Sequence, residues 1–98
     1  MEGPIYKFFR VRWTDAWYQL TQAERDDLLA REAELRQQVG LKNLLLCDAG
    51  WNNELWSAYG VHEYPNMDAM VKHYQGMVAM DFFHYAESET MLGTRWGE

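Results

Sequence analysis

Positive charge, cysteine and long apolar runs are scarce in this 98-residue chain, and each scarcity excludes a class of protein. Nine Lys and Arg residues stand against fifteen Asp and Glu residues, which gives a formal net charge of −6. Nucleic acids and anionic membrane surfaces require a cationic patch, so neither is expected as a partner. No run approaches the ~20 apolar residues of a membrane span.

The N-terminal sequence and the cysteine content bear on the compartment. The segment Met1-Glu2-Gly3-Pro4 has neither the basic start nor the apolar stretch of a signal peptide. The single cysteine, Cys47, cannot form a disulfide within the chain, and its place in a leucine-rich run predicts a buried, unreactive thiol. A reducing, cytoplasmic location is therefore expected.

Motifs for cofactor and covalent chemistry are also missing from the sequence. It has no glycine-rich phosphate loop with its lysine, and no second Cys and no His at i+4 complete a zinc-binding spacing. The spacing of the residues indicates no Ser-His-Asp or Cys-His arrangement. We therefore expect no nucleotide, no metal and no other cofactor.

The chain does contain the apolar content of one folded domain, expected to span residues 1–98. Its residues are 48% hydrophobic and 15% aromatic, enough for a single core at this length. Apolar runs predict strands over 5–13, 41–47, 55–64 and 90–96, and helix-like segments lie at 21–39 and 67–80. The order strand, helix, strand, strand, helix, strand predicts an α+β, ferredoxin-like βαββαβ sandwich.

Local signals mark where the helices begin and end. Thr21 and Glu24 have the spacing of a capping box, in which each side chain accepts from the other residue's backbone amide. Asn66 is a suitable N-cap for the second helix. Asp81 is expected to cap a separate turn over 82–85, which predicts a break in the chain direction after the second helix.

The strands are apolar on both faces. In the first strand Ile5 and Phe9 lie on one side, and Tyr6 and Phe8 lie on the other. A strand that is covered on both faces reads as a nearly continuous apolar run, whereas a half-exposed strand alternates. Two helices can cover only one face of a four-stranded sheet, so we expect a homodimer in which a second copy covers the other face.

Two motifs and an aromatic-rich connector give the sequence a family resemblance. The pattern Trp…Leu-Thr-x-x-Glu-Arg at 17–25 and the pattern Gly-Val-x-x-Tyr-Pro-Asn-Met-Asp-Ala at 60–69 resemble the dimeric α+β barrel superfamily. This group includes the antibiotic-biosynthesis monooxygenase-like and stress-responsive barrel proteins. The chain is most similar to small members of about this length, some of them linked to prodiginine-type secondary-metabolite pathways.

The resemblance implies a fold and a range of activities. Members pack two sheets back to back, and each protomer keeps a pocket between its sheet and its helices. Known activities include cofactor-independent oxygenation of polyketides, polyketide cyclisation, haem degradation and plain ligand binding. The motifs are structural, so they specify the fold better than any one of these activities.

Side-chain alternation in the third strand predicts the pocket wall. One row of the strand shares a single face: Trp56, Ala58, Gly60, His62 and Tyr64. In the resembling families the aromatic residue before the proline turns toward the helices, which places this row inside. The small residues Ala58 and Gly60 leave room that bulky side chains fill, or that remains as a cavity walled by Trp56, Tyr64 and methionines such as Met77.

The three histidines are the candidates for acid/base chemistry. His62 is the first choice because its row contains small neighbours, and His73 is the second. Either could act as a general base, paired with Tyr64 or Tyr74. His84 is the third candidate, as a ligand contact, although each histidine could equally be structural or lie at the surface.

Two further residues could contact a ligand. Arg10 could clamp a carboxylate or phenolate, or it could pair with Glu63 or Asp48. Trp17 could form a lid over the pocket, or it could anchor the first helix.

The favoured interpretation is an accessory protein of a biosynthetic pathway that binds a hydrophobic, aromatic small molecule between sheet and helices. A cofactor-independent cyclase or monooxygenase of the polyketide-tailoring type is the first alternative, and an interaction module without a ligand is the second. Haem degradation is a weaker fourth, because no histidine has the supporting residues of a haem ligand.

Overall fold

The computed structural model describes residues 3–97; Met1, Glu2 and Glu98 lie outside the described residues, and with them half of the N-terminal segment considered above. The elements follow one another as β1 Ile5–Trp13, α1 Asp15–Tyr18, α2 Gln22–Gln38, β2 Lys42–Asp48, β3 Ala58–Tyr64, α3 Met67–Ala79, α4 Phe82–Tyr85 and β4 Ala86–Gly93. The strands form one sheet in the order β2-β3-β1-β4, and every pair is antiparallel. This is the ferredoxin-like α+β arrangement that the sequence predicts.

The caps of the two long helices are those expected. The Thr21 side chain accepts from the backbone N–H of Glu24, whose carboxylate accepts from the backbone N–H of Thr21. Asn66 accepts from the backbone N–H of Ala69 at the start of α3. The turn after α3 begins at Asp81 in the left-handed region, with φ of 59°, so α4 is separated from α3.

Strand boundaries differ from the predicted ones at three places. β3 begins at Ala58 and not at 55, and β2 runs over Lys42–Asp48. β4 begins at Ala86 and ends at Gly93, although the apolar run predicts a strand over 90–96. The polar start of β4 was missed because its outward residues are charged and pair with arginines of β1, a contact that only the folded sheet provides.

The inner face of the sheet packs against the helices and holds the core. Ile5 and Tyr64 are fully buried there, and Ala69 of α3 completes their cluster. Gly76 lets α2 approach α3 closely, because a Cβ at this position would lie 2.6 Å from two methyl carbons of Leu35. The placement of Tyr64 toward the helices agrees with the prediction from its row.

The outer face of the sheet carries large apolar side chains that remain half exposed. Phe8 is 43% exposed and Met91 is 70% exposed, and both line a groove of about 430 Å³ together with Tyr6 and Val61. Cys47 is only partly buried and has Tyr59 as its register partner on this face, so the prediction of a buried thiol was wrong. The thiol lies on this face because its strand position alternates away from the helices.

None of the helices within residues 3–97 is long and apolar enough to cross a membrane.

Candidate functional site

A cavity of about 300 Å³ lies between the inner face of the sheet and the helices. Most of its wall is apolar and is formed by Phe9, Val11, Trp13, Leu29, Leu46, Ala58, Met77, Phe82 and Phe83. Its polar lining is formed by Lys7, Glu32, Arg36, His62, His73, Ser88 and Thr90. An apolar enclosure with a few polar groups is the usual composition of a small-molecule site.

The small residues of β3 contribute to this cavity in two different ways. A Cβ at position 60 would lie 2.9 Å from the ring of Phe9 and would also meet the backbone carbonyl of Leu45, so the space beside Gly60 is filled by β1 and β2. Ala58 lines the cavity itself. The prediction of open space beside both residues therefore holds only for Ala58.

A chain of polar contacts connects β3 to α2 through α3. The Oη of Tyr64 lies 2.7 Å from Nδ1 of His73, and Nε2 of His73 lies 3.0 Å from Oε2 of Glu32. A carboxylate can only accept, so Nε2 carries a proton, and in the neutral imidazole the Tyr64 hydroxyl donates to Nδ1. Of the two tyrosines considered as a partner for His73, Tyr64 is the one that the fold selects. Burial raises the pKa of Tyr64 well above its ordinary value, so this hydroxyl keeps its proton.

The far end of this chain is an ion pair on α2. Nε of Arg36 lies 3.0 Å from Oε1 of Glu32. The contact is an ion pair without hydrogen-bond geometry. Glu32 is thus held from two sides, by Arg36 one turn away on its own helix and by His73 of α3. This arrangement fixes the orientation of the His73 ring at the cavity wall.

His62 is the cavity histidine without a partner. It is only 7% exposed, and its Nδ1 has no hydrogen-bond partner within residues 3–97. Its ring packs against Phe9 at 4.5 Å between centroids. Burial, with smaller contributions from Lys7, His73 and Arg36, lowers the pKa of His62 to about 3. A neutral imidazole with an unused nitrogen therefore faces the cavity.

Lys7 is the cation that lines the cavity without a hydrogen bond or ion pair to residues 3–97. Its side chain is 8% exposed, and its Nζ lies 5.8 Å from the Phe9 ring centroid and 5.4 Å from that of Tyr64. Burial lowers the pKa of Lys7 to about 8, although the charge of Glu32 opposes the shift. Lys7 and His62 are register partners on β1 and β3, so they are direct neighbours on the inner face.

A second cavity of about 600 Å³ adjoins the first on the β4 side. Both cavities are lined by Lys7, Met77, Phe83, Ser88 and Thr90, so these residues form their common wall. Tyr74 lines the second cavity, where its ring packs against Phe83 at 5.5 Å between centroids. Met77 and Tyr74, both predicted as ligand contacts, thus lie at cavity walls.

Trp17 is held behind the cavity wall. It is buried, and its ring stacks on that of Trp13 at 3.9 Å between centroids. Its carbonyl accepts from Nε of Arg25 on α2, which is the anchoring contact that the sequence left open. Trp17 therefore supports a lining residue and does not itself line the cavity as a lid.

Three predicted site residues lie away from the cavity. Trp56 precedes β3 and stacks against Arg10 of the outer face, with Cζ 4.3 Å from the indole centroid, so its predicted place in the His62 row was wrong. Arg10 pairs with Glu89 at 2.7 Å, and not with Glu63 or Asp48. His84 belongs to the separate α4, is exposed and packs against Tyr85. Because the chain breaks after α3, His84 does not continue the helix that carries His73.

Sequence reasoning missed Lys7, Glu32 and Arg36. For Lys7 a signal was available, because it is the one charged residue in the inward row of β1, among Ile5, Phe9, Val11 and Trp13. Glu32 and Arg36 belong to a helix covered with charges, and nothing in their spacing distinguishes them. Within residues 3–97, no three His, Cys, Asp or Glu side chains converge to hold a metal ion.

Comparison with known proteins finds similarity in structure but not in sequence. No protein-family model and no curated protein matches the sequence. A protein of unknown function from Rhodopseudomonas palustris superposes with a TM-score of 0.70 at 20% identity, covering 100% of this chain and 86% of the other. SnoaB, a cofactor-independent oxygenase from Streptomyces nogalater, superposes with a TM-score of 0.59 at 15% identity over 98% of this chain and 96% of its own.

A dimeric protein of unknown function from Bacteroides fragilis, described as having a ferredoxin-like fold, superposes with a TM-score of 0.54 at 10% identity. The alignment covers 96% of this chain and 98% of that protein. At these identities the similarities establish the fold and leave the activity open.

Proposed function

We propose that this protein binds a flat, mostly apolar, aromatic small molecule in the cavity between sheet and helices, as an accessory protein of a biosynthetic pathway. The observation that carries the proposal is the cavity of about 300 Å³, at whose wall Nδ1 of His62 is buried without a hydrogen-bond partner and Lys7 has no hydrogen bond or ion pair within residues 3–97. Buried polar groups are nearly always satisfied, so unsatisfied ones at a cavity wall favour a bound molecule.

The composition of the wall supports an aromatic ligand in particular. Phe9, Trp13, Phe82 and Phe83 surround the cavity with rings, and Met77 adds a flexible, polarisable contact. The volume lies at the lower end of the range for small-molecule sites, about 300–1,000 Å³, which suits a molecule of two fused rings.

Methionine methyl NMR tests the proposal with a neutral two-ring probe, naphthalene-2-carboxamide. Met77 lines the cavity and Met91 lines the groove on the outer face, so each reports on one face of the sheet. Saturable shifts at Met77 with Met91 unchanged are the expected result. The Met77→Leu variant assigns the resonance.

A cavity-filling variant supplies the matched comparison. Ala58→Leu places three more carbons in the cavity and is expected to weaken probe binding at least about tenfold, because the added volume overlaps the ligand. Ala30→Leu on an exposed position of α2 should leave binding unchanged. Shifts confined to Met91, or no shift at any methionine, would refute the cavity site and favour an interaction module without a ligand.

We further propose that two copies associate through the outer face of the sheet. Apolar side chains such as Phe8, Leu45 and Met91 are left about half exposed or more on this face, and a contiguous apolar patch of this kind is typical of an interface. The structural similarity to a dimeric ferredoxin-like protein from Bacteroides fragilis also supports a second copy of this chain as the partner that covers the face.

Sedimentation equilibrium of a charged variant tests the dimer. Met91→Glu should dissociate it, because a carboxylate would be buried without a partner. Val78→Glu, at an exposed position of α3, should leave the sedimenting mass unchanged. A wild-type chain that sediments as a monomer at micromolar concentration would contradict this assembly.

A cofactor-independent oxygenase or cyclase is the second candidate. It is favoured by the unpartnered Nδ1 of His62, which can hold the oxygen of a bound phenol or ketone, beside the amine of Lys7, whose pKa of about 8 suits removal of a proton from that molecule. The structural similarity to SnoaB supports the same class. With a polyketide anthrone as probe, oxygen consumption that His62→Gln abolishes, while probe binding persists, would establish an oxygenase over a binding protein.

A further inference from the structure

Lys7 stands apart from every other described lysine in its environment. The exposed Lys42 and Lys72 have carboxylates at 3.7 Å and 3.3 Å, whereas the Nζ of Lys7 has no hydrogen bond or ion pair to residues 3–97. Its Nζ lies over the rings of Phe9 and Tyr64, and Lys7 lines both cavities. A buried ammonium group normally has an anionic partner.

Neither of the two carboxylates that line the cavities, Glu32 and Glu87, pairs with Lys7. Glu32 is engaged by Arg36 and by His73, so its charge is already matched. Glu87, at the wall of the second cavity, pairs with Arg12 on the outer face at 2.7 Å. One positive charge, that of Lys7, is left over when these two pairs are counted.

The neighbouring group on β3 is complementary to a second oxygen. His62 lies beside Lys7 in the strand register, and its Nδ1 is buried without a partner within the described residues. An ammonium and an imidazole side by side can together bind the two oxygens of a carboxylic acid, or a phenolic oxygen and its neighbour.

We propose that the ligand carries one acidic oxygen function, a carboxylate or a phenolate, and that the Lys7 ammonium group beside His62 is the residue that selects it. The inference rests on the proposed small-molecule site and narrows it from aromatic molecules in general to aromatic monoanions. The ligand's charge supplies the missing partner of Lys7 against a mostly apolar wall, where a charge-assisted hydrogen bond is stronger than in water.

Three probes of one shape test the proposal by calorimetry at pH 7: naphthalene-2-carboxylate, 2-naphthol and the neutral naphthalene-2-carboxamide. The wild-type protein is expected to bind the carboxylate at least about tenfold more tightly than the amide, the factor expected from one hydrogen bond to a charged group. Tighter binding of 2-naphthol than of the carboxylate would instead identify the phenolic oxygen as the function that Lys7 selects.

The Lys7→Met variant separates charge recognition from the cavity itself. It should reduce the ratio of the affinities for the carboxylate and the amide to about twofold or less, far below the factor expected from one hydrogen bond to a charged group. The affinity for the amide should stay nearly unchanged. Lys42→Met, which removes an exposed lysine of β2, should keep the wild-type preference.

Each remaining outcome overturns a specific statement. If the amide binds as well as both acidic probes, or if Lys7→Met keeps the preference, the role of Lys7 is refuted while the small-molecule site stands. If no probe shifts Met77 or releases heat, the proposed site fails and this inference fails with it.

Discussion

Replacing Lys7 by methionine should stabilise the folded protein, and the gain should depend on pH. Methionine keeps an unbranched side chain of similar length but has no charge to bury. The groups that face Lys7 and the cavities around it are Glu32 and Arg36 of α2, His62 and Tyr64 of β3, His73 and Tyr74 of α3, and Glu87 of β4. None of them forms a hydrogen bond or an ion pair with the Lys7 ammonium group, and Tyr64 presents only its ring.

The magnitude follows from the pKa of Lys7. Its fall from 10.5 to about 8 corresponds to about 3 kcal/mol of unfavourable free energy for the protonated, folded state. This cost is net of the contacts that the ammonium group makes with the rings of Phe9 and Tyr64. We therefore expect Lys7→Met to raise the free energy of unfolding by about 3 kcal/mol at pH 7.

The sign of the pH dependence follows from the same shift. Between pH 8 and 10.5 the unfolded chain keeps the lysine proton that the folded chain has released. The free energy of unfolding of the wild type therefore rises with pH in this window because of Lys7, and the full cost is present below pH 8. The advantage of the variant should be constant below about pH 8 and should shrink as the pH approaches 10.5.

Urea unfolding of both proteins, followed by far-UV circular dichroism at intervals from pH 6 to pH 10, measures this difference. Lys42→Met is the control and should stay within about 0.5 kcal/mol of the wild type. A variant that is less stable than the wild type at pH 7, or an advantage that does not change with pH, would show that Lys7 is not a strained buried cation.

Three other substitutions test the structure around the cavity. Between pH 6.5 and about 3 the unfolded chain binds a proton at His62 and the folded chain does not. The free energy of unfolding of the wild type should therefore fall by up to about 1.4 kcal/mol for each pH unit of acidification in this window. His62→Gln should flatten this slope in acid unfolding curves. Gly60→Ala should cost about 1–3 kcal/mol in urea unfolding because the methyl group meets backbone and ring atoms, while Gly93→Ala, with open space, should be neutral. Tyr64→Phe leaves Nδ1 of His73 buried without a partner and should lower the free energy of unfolding by about 1–3 kcal/mol. Tyr74→Phe, at an exposed position, should leave it unchanged. Equal melting temperatures for the two variants would contradict the hydrogen bond between Tyr64 and His73.

The arrangement of the elements could be predicted because each depends on local signals. The Thr21 capping box and the Asn66 cap involve residues three positions apart, so the sequence contains both partners. Alternation along β3 likewise placed His62 and Tyr64 on one face, and the family resemblance placed that face toward the helices. The same reasoning failed at Trp56, because alternation holds only inside a strand and β3 begins two residues later.

The first residue of β4 and the ion-pair partner of Arg10 could not be predicted, for a different reason. Both depend on the β1–β4 pairing, which joins residues nearly eighty positions apart, such as Arg10 and Glu89. A charged residue on an outer strand face looks like a loop residue until its partner strand is known.

By itself the sequence determined the order of strands and helices, the two-faced apolar character of the sheet and the shared face of His62 and Tyr64, because periodicity and capping are properties of neighbouring residues. Only the tertiary structure decided which polar groups lack partners. Glu32 could satisfy either Lys7 or His73, and the crossing of α2 over the sheet assigns it to His73 and Arg36. An unbalanced charge is a property of everything that surrounds it, so Lys7 became a candidate binding residue only once the fold had enclosed it.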